Sequence, residues 1–345
     1  MTCAATLRRT ATEGGSRLRN LFLARVVLAA ALAAGVQLAI AGRAASEADE
    51  ALAAKLKLQS SSALVLDQQS GEILYGKNVQ AIVPIASITK LMTAMVVLDA
   101  NLDPEEKILI TQDDVYWLRG SHSRLRVGAM LMRDELLRLA LMASENRAAS
   151  ALARAYPGGP ESFVRAMNHK AQLVGMNGSR FADPTGLSSA NVSTAEDLAT
   201  LVRWAHRYAK IRQYSTSTAF EVSLGGKHPV AFRNTNRLVG SGVWDIGLSK
   251  TGFINEAGRC LVMQATLAGR MVIIVLLDSW GKYSRIGDAN RIRKWLEIAW
   301  GHGHSPGRAA TARARRLMSS NGSPAGFPAA PPALSYTRSR GDPQS

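Results

Sequence analysis

The hydrophobic pattern changes along the chain from strand-like to helical and back to strand-like. Residues 62–67 and 72–75 are strand-like runs in which apolar side chains predominate, and the turn residues Gln68-Gln69-Ser70-Gly71 separate them. This arrangement predicts a β-hairpin that ends before Pro84. From Ser87 to Leu98 the apolar side chains instead recur every three or four positions, which predicts a helix.

Helical spacing dominates the middle of the chain. Residues 133–155 form a long apolar-rich helical region, and the polar triplet Ser144-Glu145-Asn146 inside it predicts a break. The Pro-Gly-Gly-Pro segment at 157–160 predicts a hinge before a further helix. The sequence Ser193-Thr194-Ala195-Glu196 is a capping box for a helix that is expected to run to about Lys210.

Strand-like runs return after residue 240. They cover 244–253, 259–268 and 270–278, and an amphipathic helix is predicted over 289–300. Because β-rich sequence lies at both ends and helical sequence lies in the middle, the pattern predicts an α+β fold. We expect one sheet that is built from both ends of the domain, with a helical subdomain inserted between them.

Composition divides the chain further. Residues 1–41 combine a basic start with an almost wholly apolar run from Val26 to Ile40, which is typical of a secretory signal peptide. At about 15 residues this run is short for a spanning helix of about 20, and an uncleaved signal anchor is the alternative. The other assignments are a linker over 42–60, a folded domain over 61–300 and a disordered Ala/Pro/Arg-rich tail over 301–345.

The formal net charge of +16 indicates an anionic neighbour, such as a cell-wall polymer or a lipid surface. Nucleic acid is not expected as a partner, because the arginines are scattered and form no basic stripe interleaved with aromatic residues. Cys3 lies in the signal segment, so cleavage leaves Cys260 alone and no internal disulfide is predicted. The histidines lack ligand spacing, and neither a metal site nor a cofactor is predicted.

Three short motifs carry the candidate chemistry: Ser87-Ile88-Thr89-Lys90, Ser144-Glu145-Asn146 and Lys250-Thr251-Gly252, in that order. Residues three apart on a helix share a face, so the amine of Lys90 can reach the hydroxyl of Ser87. A serine becomes a good nucleophile when a base takes its proton, and a lysine is such a base only when it is neutral. Burial and the second cation Lys250 are expected to lower the pKa of Lys90. The start of the helix favours an oxyanion near Ser87.

The other two motifs can complete a cleft. Ser144 and Asn146 are two residues apart, and in a turn both can face the same cleft. There Ser144 can relay a proton and Asn146 can bind a peptide carbonyl, whereas Glu145 is expected to point away and has no assigned chemistry. Lys250-Thr251 can bind a carboxylate, and the missing side chain of Gly252 lets a substrate backbone pair with the strand edge.

With these motifs, the sequence from about Ser61 to Trp300 resembles the low-molecular-mass penicillin-binding proteins, which are serine D-Ala-D-Ala peptidases. The segment Phe181-Ala182-Asp183-Pro184-Thr185-Gly186-Leu187-Ser188 resembles a motif that precedes a helix in that family. The regions around Ser144 and Lys250 are most similar to the D-alanyl-D-alanine endopeptidase branch. The resemblance implies a β-lactamase/transpeptidase-like fold, in which an antiparallel sheet is flanked by helices and a helical subdomain is inserted.

The resemblance also implies a role for each motif residue. Ser87 is the acylated nucleophile, Lys90 is its base, and Ser144 shuttles the proton. The backbone N–H groups of Ser87 and Phe253 form the oxyanion hole. The residues that bind substrate are Asn146, Lys250, Thr251 and Gly252.

The main interpretation is therefore a periplasmic peptidoglycan hydrolase that cuts D-Ala–diaminopimelate cross-bridges through a Ser87 acyl-enzyme, with β-lactams as covalent inhibitors. A DD-carboxypeptidase that releases terminal D-Ala, and a non-catalytic sensor of β-lactams or peptidoglycan, are the alternatives. The short region after Gly252 leaves no room for the second β-rich domain that the carboxypeptidase branch usually carries. The basic tail is a candidate docking segment for wall-synthesis or lytic enzymes.

Overall fold

The computed structural model describes residues 56–115, 123–226 and 228–301. Within these ranges the strands are β1 (Ser60–Asp67), β2 (Ile73–Lys77), β3 (Val83–Pro84), β4 (Lys107–Leu109), β5 (Met130–Met132), β6 (Val192–Ser193), β7 (Ala219–Val222), β8 (Val230–Arg233), β9 (Asp245–Ile254), β10 (Gly258–Leu267) and β11 (Arg270–Ser279). The helices are α1 (Lys90–Asp99), α2 (Arg133–Met142), α3 (Asn146–Arg154), α4 (Gly159–Leu173), α5 (Ala195–Ala205), α6 (Ala209–Ser215) and α7 (Ser284–Gly301).

A five-stranded antiparallel sheet forms the centre of the fold, with the strand order β2-β1-β11-β10-β9. The prediction of one sheet built from both ends of the domain is confirmed, because β1 pairs directly with β11. Strand β9 has a neighbour on one side only within this sheet, so its other side is an edge to which an extended peptide can be added. Three small two-stranded pairs, β3–β6, β4–β5 and β7–β8, lie outside the main sheet.

The two faces of the sheet bury different apolar clusters, as the alternation of side chains along a strand requires. On the inner face, Leu64 and Val262 pack with the buried side chains of the helical region. On the outer face, Val65 and Leu261 pack with buried side chains of α7, among them Trp295. The sheet is therefore a middle layer, with the helical subdomain on one side and α7 on the other.

The predicted break in the long helical region is confirmed, since α2 ends at Met142 and α3 begins at Asn146. The hairpin is confirmed as β1 and β2. The helix predicted from Ser87 begins as α1 only at Lys90, because a 3-10 turn over Ala86–Thr89 precedes it. The closing helix α7 starts at Ser284, five residues before its predicted start.

The predicted cap of α5 was wrong by one residue. Thr194, not Ser193, is the N-cap, and its hydroxyl accepts a hydrogen bond of 3.1 Å from Asp197 N. Asp197 in turn accepts hydrogen bonds from Gly178 N and the Ser179 hydroxyl, which ties the helix start to an earlier loop. The helix also ends at Ala205, and a separate helix, α6, covers the end of the predicted span.

The predicted signal peptide over 1–41, most of the linker over 42–60 and all but the first residue of the tail over 301–345 lie outside the described residues. Among the helices that are described, none combines the length and the apolar character that crossing a membrane requires.

Candidate active site

The candidate nucleophile Ser87 lies in the 3-10 turn that leads directly into α1. Ala86 before it has a φ of +47°, a left-handed backbone conformation that side chains seldom adopt. Such conformations persist only where surrounding structure holds them, and they are often found at functional sites. Ser87 itself is partly exposed, whereas its neighbours Ala86 and Ile88 are buried, so the serine is the residue of this turn that faces solvent.

Lys90 lies fully buried one turn after Ser87. Its Nζ is 2.9 Å from Ser87 Oγ, 2.7 Å from Asn146 Oδ1 and 2.6 Å from the Thr185 carbonyl oxygen. Burial lowers the pKa of Lys90 to about 7. A large fraction of this lysine is therefore neutral near neutral pH, and a neutral amine can accept a proton from the serine hydroxyl.

The electrostatic surroundings of Lys90 include two carboxylates that were not predicted to act on it. The charges of Asp183 and Glu145 raise the pKa of Lys90 against the effect of burial, and Lys90 and Lys250 repel each other as cations. Lys250 is the more strongly perturbed lysine. Burial first, and then the charges of Lys90 and Arg285, hold the pKa of Lys250 well below its ordinary value.

Glu145 acts at the site in a way that its sequence motif does not indicate. It was expected to point away from the cleft, yet it is buried at the start of α3 and lies close enough to Lys90 to affect its charge. Burial raises the pKa of Glu145, while a hydrogen bond with the Ser123 side chain and the charge of Lys90 lower it. The sequence signal for this role was the position of Glu145 between two motif residues, at the break between two helices.

Ser144 has a φ of +59° in the break between α2 and α3. Its Oγ accepts a hydrogen bond of 2.8 Å from Lys250 Nζ. The predicted partnership was with Lys90, and the structure instead places Asn146 against Lys90 and Ser144 against Lys250. The motif residues therefore form two separate polar pairs, Asn146 with Lys90 and Ser144 with Lys250.

The loop that contains Asp183 completes the surroundings of Lys90. One carboxylate oxygen of Asp183 accepts hydrogen bonds from Thr185 N at 2.6 Å and Gly186 N at 2.8 Å, and the other accepts one from Ser188 N at 2.8 Å. These hydrogen bonds hold the loop in a conformation in which the Thr185 carbonyl oxygen accepts a hydrogen bond from Lys90 Nζ. The sequence of this segment resembles a family motif, but it does not indicate the contact with the base.

Strand β9 brings the third motif to Ser87. A β-carbon at Gly252 would lie 2.9 Å from the Ile85 carbonyl oxygen and 3.2 Å from Ser87 N, so the strand can approach the serine this closely only with glycine at residue 252. Lys250 Nζ also donates to the Thr251 carbonyl oxygen, at 2.8 Å.

Two further contacts hold this edge strand. The hydroxyl of Thr251 lies 2.6 Å from that of Thr235, and a guanidinium nitrogen of Arg285 donates to the carbonyl oxygens of Gly252 and Cys260. No sequence motif indicates Arg285, because its reach from α7 to β9 depends on how the helix packs on the sheet. Cys260 is buried as predicted, and burial raises its pKa to about 11.

All the sequence-predicted site residues are thus near one another at the edge of the sheet. Among the described residues, no group of three or more His, Cys, Asp or Glu side chains is arranged to hold a metal ion.

A serine in contact with a buried lysine, beside a second serine–lysine pair and an open strand edge, can perform acyl transfer.

This combination of site and fold is that of an active-site-serine acyl-transfer enzyme. A family model described as D-alanyl-D-alanine carboxypeptidase matches residues 47–281. The chain belongs to this family of serine D-Ala-D-Ala peptidases, and the resemblance seen in the motifs is confirmed.

The relatives give a finer comparison. The chain is 49% identical over 265 residues to the D-alanyl-D-alanine endopeptidase of Pseudomonas aeruginosa, covering 76% of this chain and 84% of the relative. It is 44% identical over 246 residues to the D-alanyl-D-alanine endopeptidase of Escherichia coli, covering 71% and 79%. The crystal structure of the Streptomyces K15 DD-transpeptidase matches with a TM-score of 0.64 and 29% identity, covering 69% of this chain and 97% of that one. The predicted β-lactamase/transpeptidase-like fold is therefore confirmed.

Proposed function

We propose that the chain is a DD-endopeptidase that hydrolyses D-Ala–diaminopimelate cross-bridges of peptidoglycan in the periplasm, with Ser87 as the acylated residue. The observation that carries the mechanism is the pair formed by Ser87 and Lys90, whose reacting atoms are 2.9 Å apart. The similarity to proteins named endopeptidases favours an internal cross-bridge as the bond that is cut.

Acylation begins when neutral Lys90 takes the proton of Ser87 and the serine oxygen attacks the D-Ala carbonyl carbon. The carbonyl oxygen becomes negatively charged, and the backbone N–H groups of Ser87 and Phe253 are the proposed donors to it. The close approach of Gly252 to Ser87 N supports this assignment, because it brings β9 beside the serine.

The leaving amine must then receive a proton. Ser144 is the proposed donor: its oxygen accepts a hydrogen bond from Lys250, so its own hydrogen is directed elsewhere. The proton that Lys90 took from Ser87 is proposed to pass to Ser144 and restore its hydroxyl, so that no net proton is gained or lost. This transfer requires Lys90 and Ser144 to come together during the reaction, because in the structure Ser144 contacts Lys250 and Lys90 contacts Asn146. Water then attacks the acyl-enzyme, with Lys90 again as the base that takes a proton from the water and returns it to Ser87. This step releases the donor stem peptide, which now ends in the free carboxylate of D-Ala.

Substrate binding is assigned to the remaining motif residues. The carboxylate next to the scissile bond is expected to bind at Lys250 and Thr251, and the stem peptide to pair with the edge of β9 at Gly252. Asn146 accepts a hydrogen bond from Lys90 through its oxygen and still has amide N–H donors for a substrate carbonyl. β-Lactams, which mimic the D-Ala-D-Ala unit, are expected to acylate the same serine.

The test uses the full chain and a Ser87→Ala variant. A cross-linked dimeric muropeptide and a monomeric pentapeptide are supplied together, and both are followed by mass spectrometry. We expect conversion of the dimer to monomers by the parent chain and no conversion by the variant. Loss of one alanine from the pentapeptide with the dimer intact would instead establish a carboxypeptidase, and penicillin labelling of Ser87 without any cleavage would favour the sensor.

A further inference from the structure

A row of three strand residues lies at the end of the sheet beside Gly252. Phe253 of β9 is the register partner of Arg259 of β10, and Arg259 is the register partner of Ser279 of β11. The side chain of Phe253 is large and apolar, yet the residue is 50% exposed. The guanidinium of Arg259 lies 4.5 Å from the centre of its ring, in a cation–π arrangement.

The turn that follows β11 extends this row with two more exposed aromatic rings. Trp280 is 88% exposed and Tyr283 is 56% exposed. The ammonium of Lys282 lies 5.6 Å and the guanidinium of Arg237 5.8 Å from the centre of the Tyr283 ring. We call this surface the aromatic ledge, and its residues are Arg237, Phe253, Arg259, Trp280, Lys282 and Tyr283.

The turn is held in place by its own hydrogen bonds. The Ser284 hydroxyl donates to the Gly281 carbonyl oxygen at 2.7 Å and pairs with the Ser279 hydroxyl at 2.8 Å. Gly281 has a φ of +95°, which favours glycine. The aromatic rings are therefore presented on a defined turn at the start of α7. An exposed aromatic cluster rimmed by cations is typical of an interaction surface.

The position of the aromatic ledge relative to the site indicates what it binds. In the proposed function, the substrate carboxylate lies at Lys250 and Thr251, and the reacting carbonyl lies at Ser87 and the Phe253 N–H group. The part of the substrate on the acyl side of the scissile bond then leaves the site past Phe253, at the end of the sheet where Arg259 and the turn after Ser279 also lie. A peptidoglycan strand offers this surface stem carboxylates for the cations and sugar rings for the aromatic faces.

We propose that the aromatic ledge is a second binding site for the acyl-donor strand of polymeric peptidoglycan, where it contacts the stem peptide and the glycan chain beyond the reacting D-Ala. This inference rests on the proposed function, since the direction of the substrate follows from it. Such a site would let the enzyme remain bound to an insoluble, cross-linked polymer, although the active site itself contacts only the region around one peptide bond.

The test compares a ledge variant, Trp280→Ala/Lys282→Ala/Tyr283→Ala, with a control variant, Lys107→Ala/Leu173→Ala. The control also removes an exposed cation and an exposed apolar side chain, on β4 and α4. Sedimentation with purified sacculi is measured in a Ser87→Ala background, and the rate of penicillin acylation is measured with Ser87 present. We expect the ledge variant to bind sacculi on the order of tenfold more weakly, with acylation unchanged, and the control to match the parent in both.

The outcomes separate the two proposals. Unchanged sacculus binding by the ledge variant would overturn the second site, and so would a loss of acylation that parallels the loss of binding, because the turn would then merely support the active site. Absence of penicillin labelling in the parent would instead overturn the proposed function. Binding of the parent to vesicles of phosphatidylethanolamine and phosphatidylglycerol, but not to sacculi, would replace peptidoglycan by a membrane surface and overturn the inference.

Discussion

Gly186 lies against Ala86 so closely that a β-carbon on Gly186 would be 2.0 Å from the Ala86 carbonyl oxygen and 2.8 Å from Ser87 N. Both residues have positive φ angles, +80° and +47°. The Asp183 loop and the turn that carries the nucleophile are therefore packed backbone against backbone. The same loop supplies the Thr185 carbonyl oxygen that contacts Lys90, so it positions the serine and its base together.

A Gly186→Ala substitution is expected to displace Ser87 and its backbone N–H group, because no side-chain movement can relieve a contact with backbone atoms. We expect penicillin acylation to slow by about 100-fold, the effect of a misplacement of about 1 Å. Gly175→Ala is the matched control, since Gly175 has a φ of +83° with open space around it. It imposes the same backbone strain at a remote site. Equal acylation rates for the two variants would contradict the proposed packing role.

The rate of acylation is expected to depend on the charge of Lys90. Because burial lowers the pKa of Lys90 to about 7, the lysine is protonated and inactive as a base below this pH and neutral above it. The rate should therefore rise about tenfold per pH unit below pH 7 and level off above it. Stopped-flow acylation with a chromogenic cephalosporin measures this profile. A Lys90→Arg variant, whose side chain stays charged, should lose the rise, and a parent rate that is flat across pH 7 would contradict Lys90 as the base.

Glu145 is expected to tune this profile. Its carboxylate raises the pKa of Lys90 against the effect of burial, so Glu145→Gln removes a negative charge that favours the protonated lysine. The midpoint of the acylation profile should move to lower pH, while the rate on the plateau stays near that of the parent. Glu161→Gln serves as a control, because Glu161 is highly exposed on α4. A shift to higher pH, or the same shift in both variants, would show that Glu145 does not act through the charge of Lys90.

Local sequence patterns predicted contacts between residues that are close together in the sequence. Ser87 and Lys90 are three residues apart, so helical geometry alone brings them together, and their hydrogen bond was expected. The contacts of Lys90 with Asn146 and Thr185, and of Ser144 with Lys250, span 56, 95 and 106 residues. Which serine meets which lysine depends on the packing of the helical subdomain on the sheet, and no periodicity encodes that.

The same limit applies to the fold. The long apolar runs of the main sheet have clear strand patterns, and these were predicted. Strands β7 and β8 have only four residues each, and a seven-residue connection rich in Gly and polar residues separates them, so they were missed. At α5, Asp197 contacts Gly178 and Ser179, and these contacts favour Thr194 as the N-cap. The local sequence does not show them.

The Ser144–Lys250 pair gives the last prediction. Ser144→Ala removes the hydroxyl that is proposed to protonate the leaving amine and leaves Lys250 Nζ without that acceptor. Positioned acid–base groups contribute about 10²–10⁴-fold, so we expect a loss of this size in the cleavage of the dimeric muropeptide. Ser162→Ala is the control, because the Ser162 hydroxyl pairs only with the exposed Arg165 among the hydrogen bonds described for it.

A double variant separates a shared role from two independent ones. If Ser144 and Lys250 act as a unit, Ser144→Ala/Lys250→Met should lose about as much activity as the worse single variant, since residues that act together are not additive. Steady-state rates of the parent, both single variants and the double variant complete the cycle. Losses that multiply would show that the two residues contribute separately, and the proton path would then have to run through Ser144 alone.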